Sequence, residues 1–133
     1  MRILPALFLA LLAAPAAAQQ VDCAKAMAQL ELNWCAEQSW QAADAELNAA
    51  YKEAMALLQS WDADLPKAER GGAEAMKQAQ RAWITFRDKA CEAEGYAMHG
   101  GSAEAMLIYG CRAQLTRDRT AQLRGLVGNY GGN

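Results

Sequence analysis

The chain has 133 residues, 53% of them hydrophobic and 21% charged, with a formal net charge of −2 at pH 7, four cysteines and one histidine. That near-neutral balance, with no basic block interleaved with aromatics, excludes nucleic acid as a partner of the usual electrostatic kind. After residue 18 no apolar run approaches the ~20 residues that cross a bilayer, which excludes a membrane-spanning helix there.

The first predicted element is a secretory signal peptide. Residues 1–18, "MRILPALFLALLAAPAAA", carry one positive charge at Arg2, an apolar run from Ile3 to Ala14 and a small-residue ending at Ala18. The exported protein is expected to begin near Gln19 and to be periplasmic or secreted. "QQVD" separates Ala18 from Cys23, so no lipidation cysteine follows the signal and no membrane anchor is expected after cleavage. Residues 19–133 read as a single domain with its core at about 22–126 and a flexible glycine-rich tail at 127–133.

An even cysteine count in an exported chain points to two disulfides, and Cys23, Cys35, Cys91 and Cys111 allow three pairings. Their spacing lacks the CxxC knuckle of a zinc site, so neither a metal nor another cofactor is expected. Charge is divided along the chain: residues 22–64 hold eight acidic and two basic side chains, residues 67–133 seven acidic and ten basic. The two halves can offset one another, or the first can present an acidic face to a cationic protein.

Alanine, glutamine, glutamate, leucine and methionine dominate, and no alternating β-branched stretch occurs, which predicts an all-α fold. Loop signals at "DADLPKAERGG" (62–72) and "GYAMHGGS" (95–102) divide the chain into helices near 37–60, 73–94 and 103–125, behind a short helical or irregular segment from Cys23. Short connections imply an antiparallel, up-down-up three-helix bundle. At 100° per residue, Trp40, Leu47, Tyr51, Met55 and Leu58 form one stripe, Met76, Trp83 and Ala90 a second, and Ile108, Cys111, Leu115 and Leu126 a third.

Each stripe contains one charged residue: Asp44, Arg87 and Arg119. An isolated buried charge costs several kcal/mol, so these residues are expected to meet. The expected cluster has Asp44 accepting from Arg87 or Arg119, Asn48 or Gln80 at its edge, and a helix-end carbonyl, Tyr51 or Glu31 completing it. Its simplest role is to fix the register of the bundle. Extrapolated backwards, Glu31 and Cys35 fall opposite the first stripe, which predicts a break or bend between Cys35 and Trp40.

No catalytic set emerges. With the cysteines oxidised, His99 has no nucleophile to activate. Glu31 and Glu46 would stand about 22 Å apart on a continuous helix, far beyond the separation of a glycosidase carboxylate pair. The chain is not expected to be an enzyme.

Taken together, Glu31, Asn33, Cys35, Asp44, Leu47, Asn48, Tyr51, Gln80, Arg81, Trp83, Arg87, Asp88, Cys91, Gly100, Gly101, Ser102, Cys111, Thr116 and Arg119 form a pattern that resembles the lysozyme inhibitor LprI family of small exported helical proteins. The likeness covers about residues 22–124. It implies the pairing Cys23–Cys35 and Cys91–Cys111, since the first two and last two cysteines of the family behave as units. An up-down-up bundle accommodates that pairing, while Cys23–Cys91 with Cys35–Cys111 stays open because all four thiols lie near one end. The resemblance further implies inhibition of lysozyme or another cell-wall muramidase by protein–protein binding. The alternative is an envelope interaction module with a different partner. An inhibitor needs a protruding rigid element, and His99, Gly100, Gly101 and Ser102 suit one: glycines allow close approach, and His99 and Ser102 offer donors. The plainer reading of this loop is a helix connection with Ser102 as N-cap of the third helix and Glu104 in its first turn.

Overall fold

The structure, a computed structural model, describes residues 21–132; the signal peptide expected at 1–18 lies outside the described residues. Three helices follow in order: α1 at Gln29–Asp64, α2 at Gly72–Gly95 and α3 at Glu104–Tyr130. Single 3₁₀ turns at Lys67–Glu69 and Tyr96–Met98 occupy the two corners. No strand occurs among the described residues, and the fold is an all-α, disulfide-linked bundle. Ser39 meets Arg117 and Glu46 meets Arg124, so α1 and α3 run parallel. Asp44 meets Arg87 and Asp62 meets Gly72, so α2 runs against α1.

The core is small. Leu47, Ala50, Ala54 and Leu123 are buried together, with Tyr51, Met76, Trp83, Leu126 and Val127 packed around them. The α1 side of this cluster is largely alanine, which lets α3 lie close along it. Burying a leucine such as Leu47 or Leu123 stabilises by about 1.5–3 kcal/mol. A core with few large side chains gains from cross-links.

Three expectations are corrected. First, α1 is continuous from Gln29 through Cys35 and Trp40, with no break or bend. The chain changes direction earlier instead. The Glu31 carboxylate accepts the Met27 and Ala28 amide protons, both at 3.3 Å, and starts the helix there. Of the two forms expected for the segment from Cys23, the structure has the irregular one: Cys23 lies in a turn that folds back on α1.

Second, the buried face of α3 is Ala113, Thr116, Thr120 and Leu123. Ile108, Cys111, Leu115 and Leu126 are only half-buried. Large apolar residues define the sequence stripe, but the tightest contact uses small ones. The threonines are satisfied, since Thr120 Oγ1 donates to the Thr116 carbonyl oxygen at 2.9 Å.

Third, residues 127–130 are helical and not a flexible tail. Leu126 and Val127 pack on the core cluster, Tyr130 meets the edge of Trp61, and Gly125 and Gly128 lie on open faces where helical backbone meets no obstacle.

Candidate functional site

Two constellations hold the residues singled out above. The first lies midway along the bundle. Arg87, only 5% exposed, donates from Nη1 to Asp44 Oδ1 at 3.0 Å and to Thr116 Oγ1 at 3.3 Å, and from Nε to Asp88 Oδ1 at 3.0 Å. Arg112 Nε stands 3.4 Å from the same Asp88 oxygen. Both guanidiniums lie on the Trp40 ring, at 5.5 Å for Arg87 and 5.1 Å for Arg112, and Arg87 also lies 5.2 Å from the Trp83 ring. Two carboxylates and two indole faces therefore answer two cations.

That arrangement corrects part of the expected cluster. Asp88 and Thr116 complete it, where Tyr51, Glu31 or a helix-end carbonyl was expected. Arg119 stands apart from Asp44: it donates from Nε to Gln80 Oε1 at 3.0 Å and from Nη1 to Gln122 Oε1 at 3.1 Å. Burial pulls its guanidinium pKa below the ordinary value. Asn48 is exposed, on the same side of α1 as Asp44. Asp88 lies off the apolar stripe, and the sequence signal that finds it is its place directly after Arg87.

The second constellation is the α2–α3 corner. Cys91 pairs with Cys111 across it, Cα atoms 5.4 Å apart. Gly95 lets the helices meet, since a Cβ there would stand 2.5 Å from Ile108 Cγ1. Beyond it, Tyr96 stacks on His99 with ring centroids 4.4 Å apart. Gly100 takes φ +74°, a conformation that glycine adopts without strain. The Glu104 carboxylate accepts the Gly100 amide proton at 2.8 Å and meets His99 Nδ1 at 3.0 Å. Both contacts, the amide first, hold the Glu104 pKa below the ordinary carboxylate value.

His99, Gly100, Gly101 and Ser102 are all exposed. Ser102 is not the N-cap; Ala103 holds that place without a side-chain bond. The Glu104 side chain reaches back to the loop and removes the need for a serine cap. His99 is oriented by Tyr96 and Glu104, which leaves Nε2 as its free ring atom. Asn33 Nδ2 donates to the Ser102 carbonyl oxygen at 2.9 Å, so the start of α1 is fastened beside the loop. Close to Asn33, Cys23 pairs with Cys35, Cα atoms 5.6 Å apart.

Among the described residues no group of His, Cys, Asp and Glu is placed to hold a metal ion, and no helix is long and apolar enough to cross a membrane.

The family model "Lysozyme inhibitor LprI" matches residues 22–123, a span that contains both constellations and all four cysteines. The chain belongs to the LprI lysozyme inhibitor family. An uncharacterized protein of Rhizobium meliloti strain 1021 is 51% identical over 119 residues, covering 86% of either chain. The uncharacterized protein YecT of Escherichia coli K12 is 37% identical over 59 residues, 44% of this chain and 36% of YecT. The crystal structure of a DUF1311 family protein from Pseudomonas putida KT2440 superposes with a TM-score of 0.63 at 29% identity, covering 72% of this chain and 90% of that one. That likeness shows that the two chains share this helical fold.

Proposed function

We propose that the protein is an exported inhibitor of a lysozyme-type muramidase, acting by protein–protein binding through the loop end of the bundle and without catalysis of its own. Membership of a family described as lysozyme inhibitors carries the reading. Three features of the loop end support it. Its exposed side chains include Tyr96, Met98, Leu30 and Trp34, the aromatic and methionine types that anchor interfaces among them. The Cys91–Cys111 bridge and the Glu104 contacts hold the glycine loop in one shape, so little ordering remains to oppose binding. Residues 22–37 and 89–104 together carry six carboxylates and two lysines, a negative end that steers a cationic partner.

The two disulfides fit the oxidising periplasm or exterior where such a target acts. The test is the clearing of a cell-wall suspension by lysozyme in the presence of the purified, disulfide-intact protein at micromolar excess. Slower clearing is expected, and Met98→Lys, which sets a like charge against a cationic partner at an exposed position of the loop end, is expected to restore it. Clearing that stays unchanged by the unaltered protein overturns the inhibitory reading.

A further inference from the structure

The mid-bundle cluster opens on one side into a cleft between α1 and α2, with a volume of about 420 Å³. Its walls repeat one spacing. Asp44, Leu47, Asn48 and Tyr51 stand at i, i+3, i+4 and i+7 on α1, and Lys77, Gln80, Arg81 and Ile84 stand at the same intervals on α2. That interval places four side chains on one helix face, so the two rows look across the cleft at each other.

Part of this lining is occupied by the fold and part is free. Arg87 and one oxygen of Asp44 bond to each other, and Gln80 accepts from Arg119. Among the described residues, the side chains of Asn48, Arg81 and Tyr51 make no hydrogen bond and neither does Asp44 Oδ2, while the charge of Arg81 is felt by the Glu74 carboxylate. The free set therefore contains a cation at Arg81, a donor and acceptor pair at Asn48, a phenol at Tyr51 and a carboxylate oxygen at Asp44. Lys77 adds a second positive charge, shared with Glu74 at 3.3 Å.

The mixture selects among ligand chemistries. A ligand with acceptors only, such as a phosphate ester backbone, would meet repulsion from Asp44. A neutral polyol would accept from Arg81 but leave its charge without a counter-ion. A ring bearing hydroxyl or amide donors and one carboxylate uses every free group: its donors reach Asp44 Oδ2 and Asn48, its carboxylate meets the Arg81 fork, and Tyr51 and Ile84 cover its apolar edges. The volume is within the range of small-ligand sites and takes one or two sugar rings.

We infer that the α1–α2 cleft is a binding site for a carboxylate-bearing amino sugar. The site lies away from the loop end and does not depend on the inhibitory reading.

The test is an NMR titration of the disulfide-intact protein with N-acetylmuramic acid, against N-acetylglucosamine, which has the same ring without the lactyl carboxylate. Shifts are expected at the Asn48 side-chain amide and along residues 44–51 and 77–87. The neutral sugar is expected to bind about tenfold more weakly, the factor that corresponds to ~1.4 kcal/mol. Arg81→Gln, at an exposed unpaired position, is expected to fold normally and to lose a similar factor for the acid while leaving the neutral sugar unchanged. No shift in the cleft, equal affinity for the two sugars, or an Arg81→Gln variant that binds the acid as well as the parent each overturns the site. No muramidase enters the experiment, so its failure leaves the proposed inhibition standing, and the reverse holds for the clearing assay.

Discussion

The two corners of the bundle solve the same problem differently. At the α1–α2 corner the Asp62 carboxylate accepts the amide protons of Gly71, Gly72 and Ala73 at 2.9–3.0 Å, so the end of one helix caps the start of the next. At the α2–α3 corner the Glu104 carboxylate takes the Gly100 amide, and a disulfide and a glycine contact lie directly beneath. There Arg70 also donates to the Leu65 and Ala63 carbonyl oxygens, at 3.0 and 3.4 Å, so hydrogen bonds without a covalent link turn the chain at the first corner. The additional restraint at the second corner therefore needs another reason, and holding an exposed loop in one shape is the reason that matches the proposed role.

The comparison breaks most sharply if the covalent link is removed. Closing a loop of about twenty residues stabilises by roughly 3 kcal/mol in the chain-entropy model. The variant Cys91→Ser with Cys111→Ser is expected to lose about that much in denaturant unfolding, a large fraction of the net stability of a small domain. Inhibition in the clearing assay is expected to weaken further than the folded fraction accounts for, because the loop would no longer be pre-ordered.

Next in size is Gly95→Ala. The added methyl meets Ile108 at a distance no real contact tolerates, and overpacking of this kind costs about 1–3 kcal/mol. Urea unfolding checks it, and a loss near zero would mean that α2 and α3 are not held as closely as the corner geometry requires. Cys23→Ser with Cys35→Ser is expected to cost less than the ~3 kcal/mol that the same entropy model assigns to a loop of this size. The turn before Gln29 can detach from α1 while the three helices stay packed on one another, a local opening. Differential loss between the two double variants, read by circular dichroism, measures how much of the restraint lies at the loop corner.

Sequence periodicity made much of this legible, and its failures share one physical cause. A stripe of large apolar residues locates a helix and orients a buried charge, which is how Asp44 and Arg87 were expected to meet. It does not weight alanine and threonine, so the face of α3 built from Ala113, Thr116 and Thr120 escaped it. It also assumes that every functional position on a helix faces the main core. The bend expected after Cys35 followed from asking Glu31 and Cys35 to share the face of Trp40, whereas both lie on the continuous α1 and meet the N-terminal turn instead, Glu31 at the Met27 and Ala28 amides and Cys35 at Cys23. The α1–α2 cleft was half visible: Asp44, Asn48 and Gln80 were grouped, but Lys77, Arg81 and Ile84 show only once two helices are known to face each other at the same spacing.

The smallest expected effect concerns acid, and it tests the corners as a pair. Backbone amides of Ala73, Gly71 and Gly72 hold the Asp62 carboxyl below its ordinary pKa, and Gly100 and then His99 do the same for Glu104. A carboxyl whose pKa is depressed on folding contributes stability that is fully present above its unfolded pKa and is lost as pH falls through the folded one. Both corners therefore weaken on acidification, in the window below the ordinary carboxylate range. Asp62→Asn removes three accepted amide bonds where no covalent link lies nearby, so it is expected to flatten the acid limb of the stability profile and to lower the melting temperature at neutral pH. Glu104→Gln is expected to flatten the same limb with a smaller loss at neutral pH, because Cys91–Cys111 still closes its corner. Measured on the Cys91→Ser, Cys111→Ser background, the Glu104→Gln loss should grow toward that of Asp62→Asn. If it stays the same, the disulfide and the carboxylate act independently, and the second corner is not the over-restrained one.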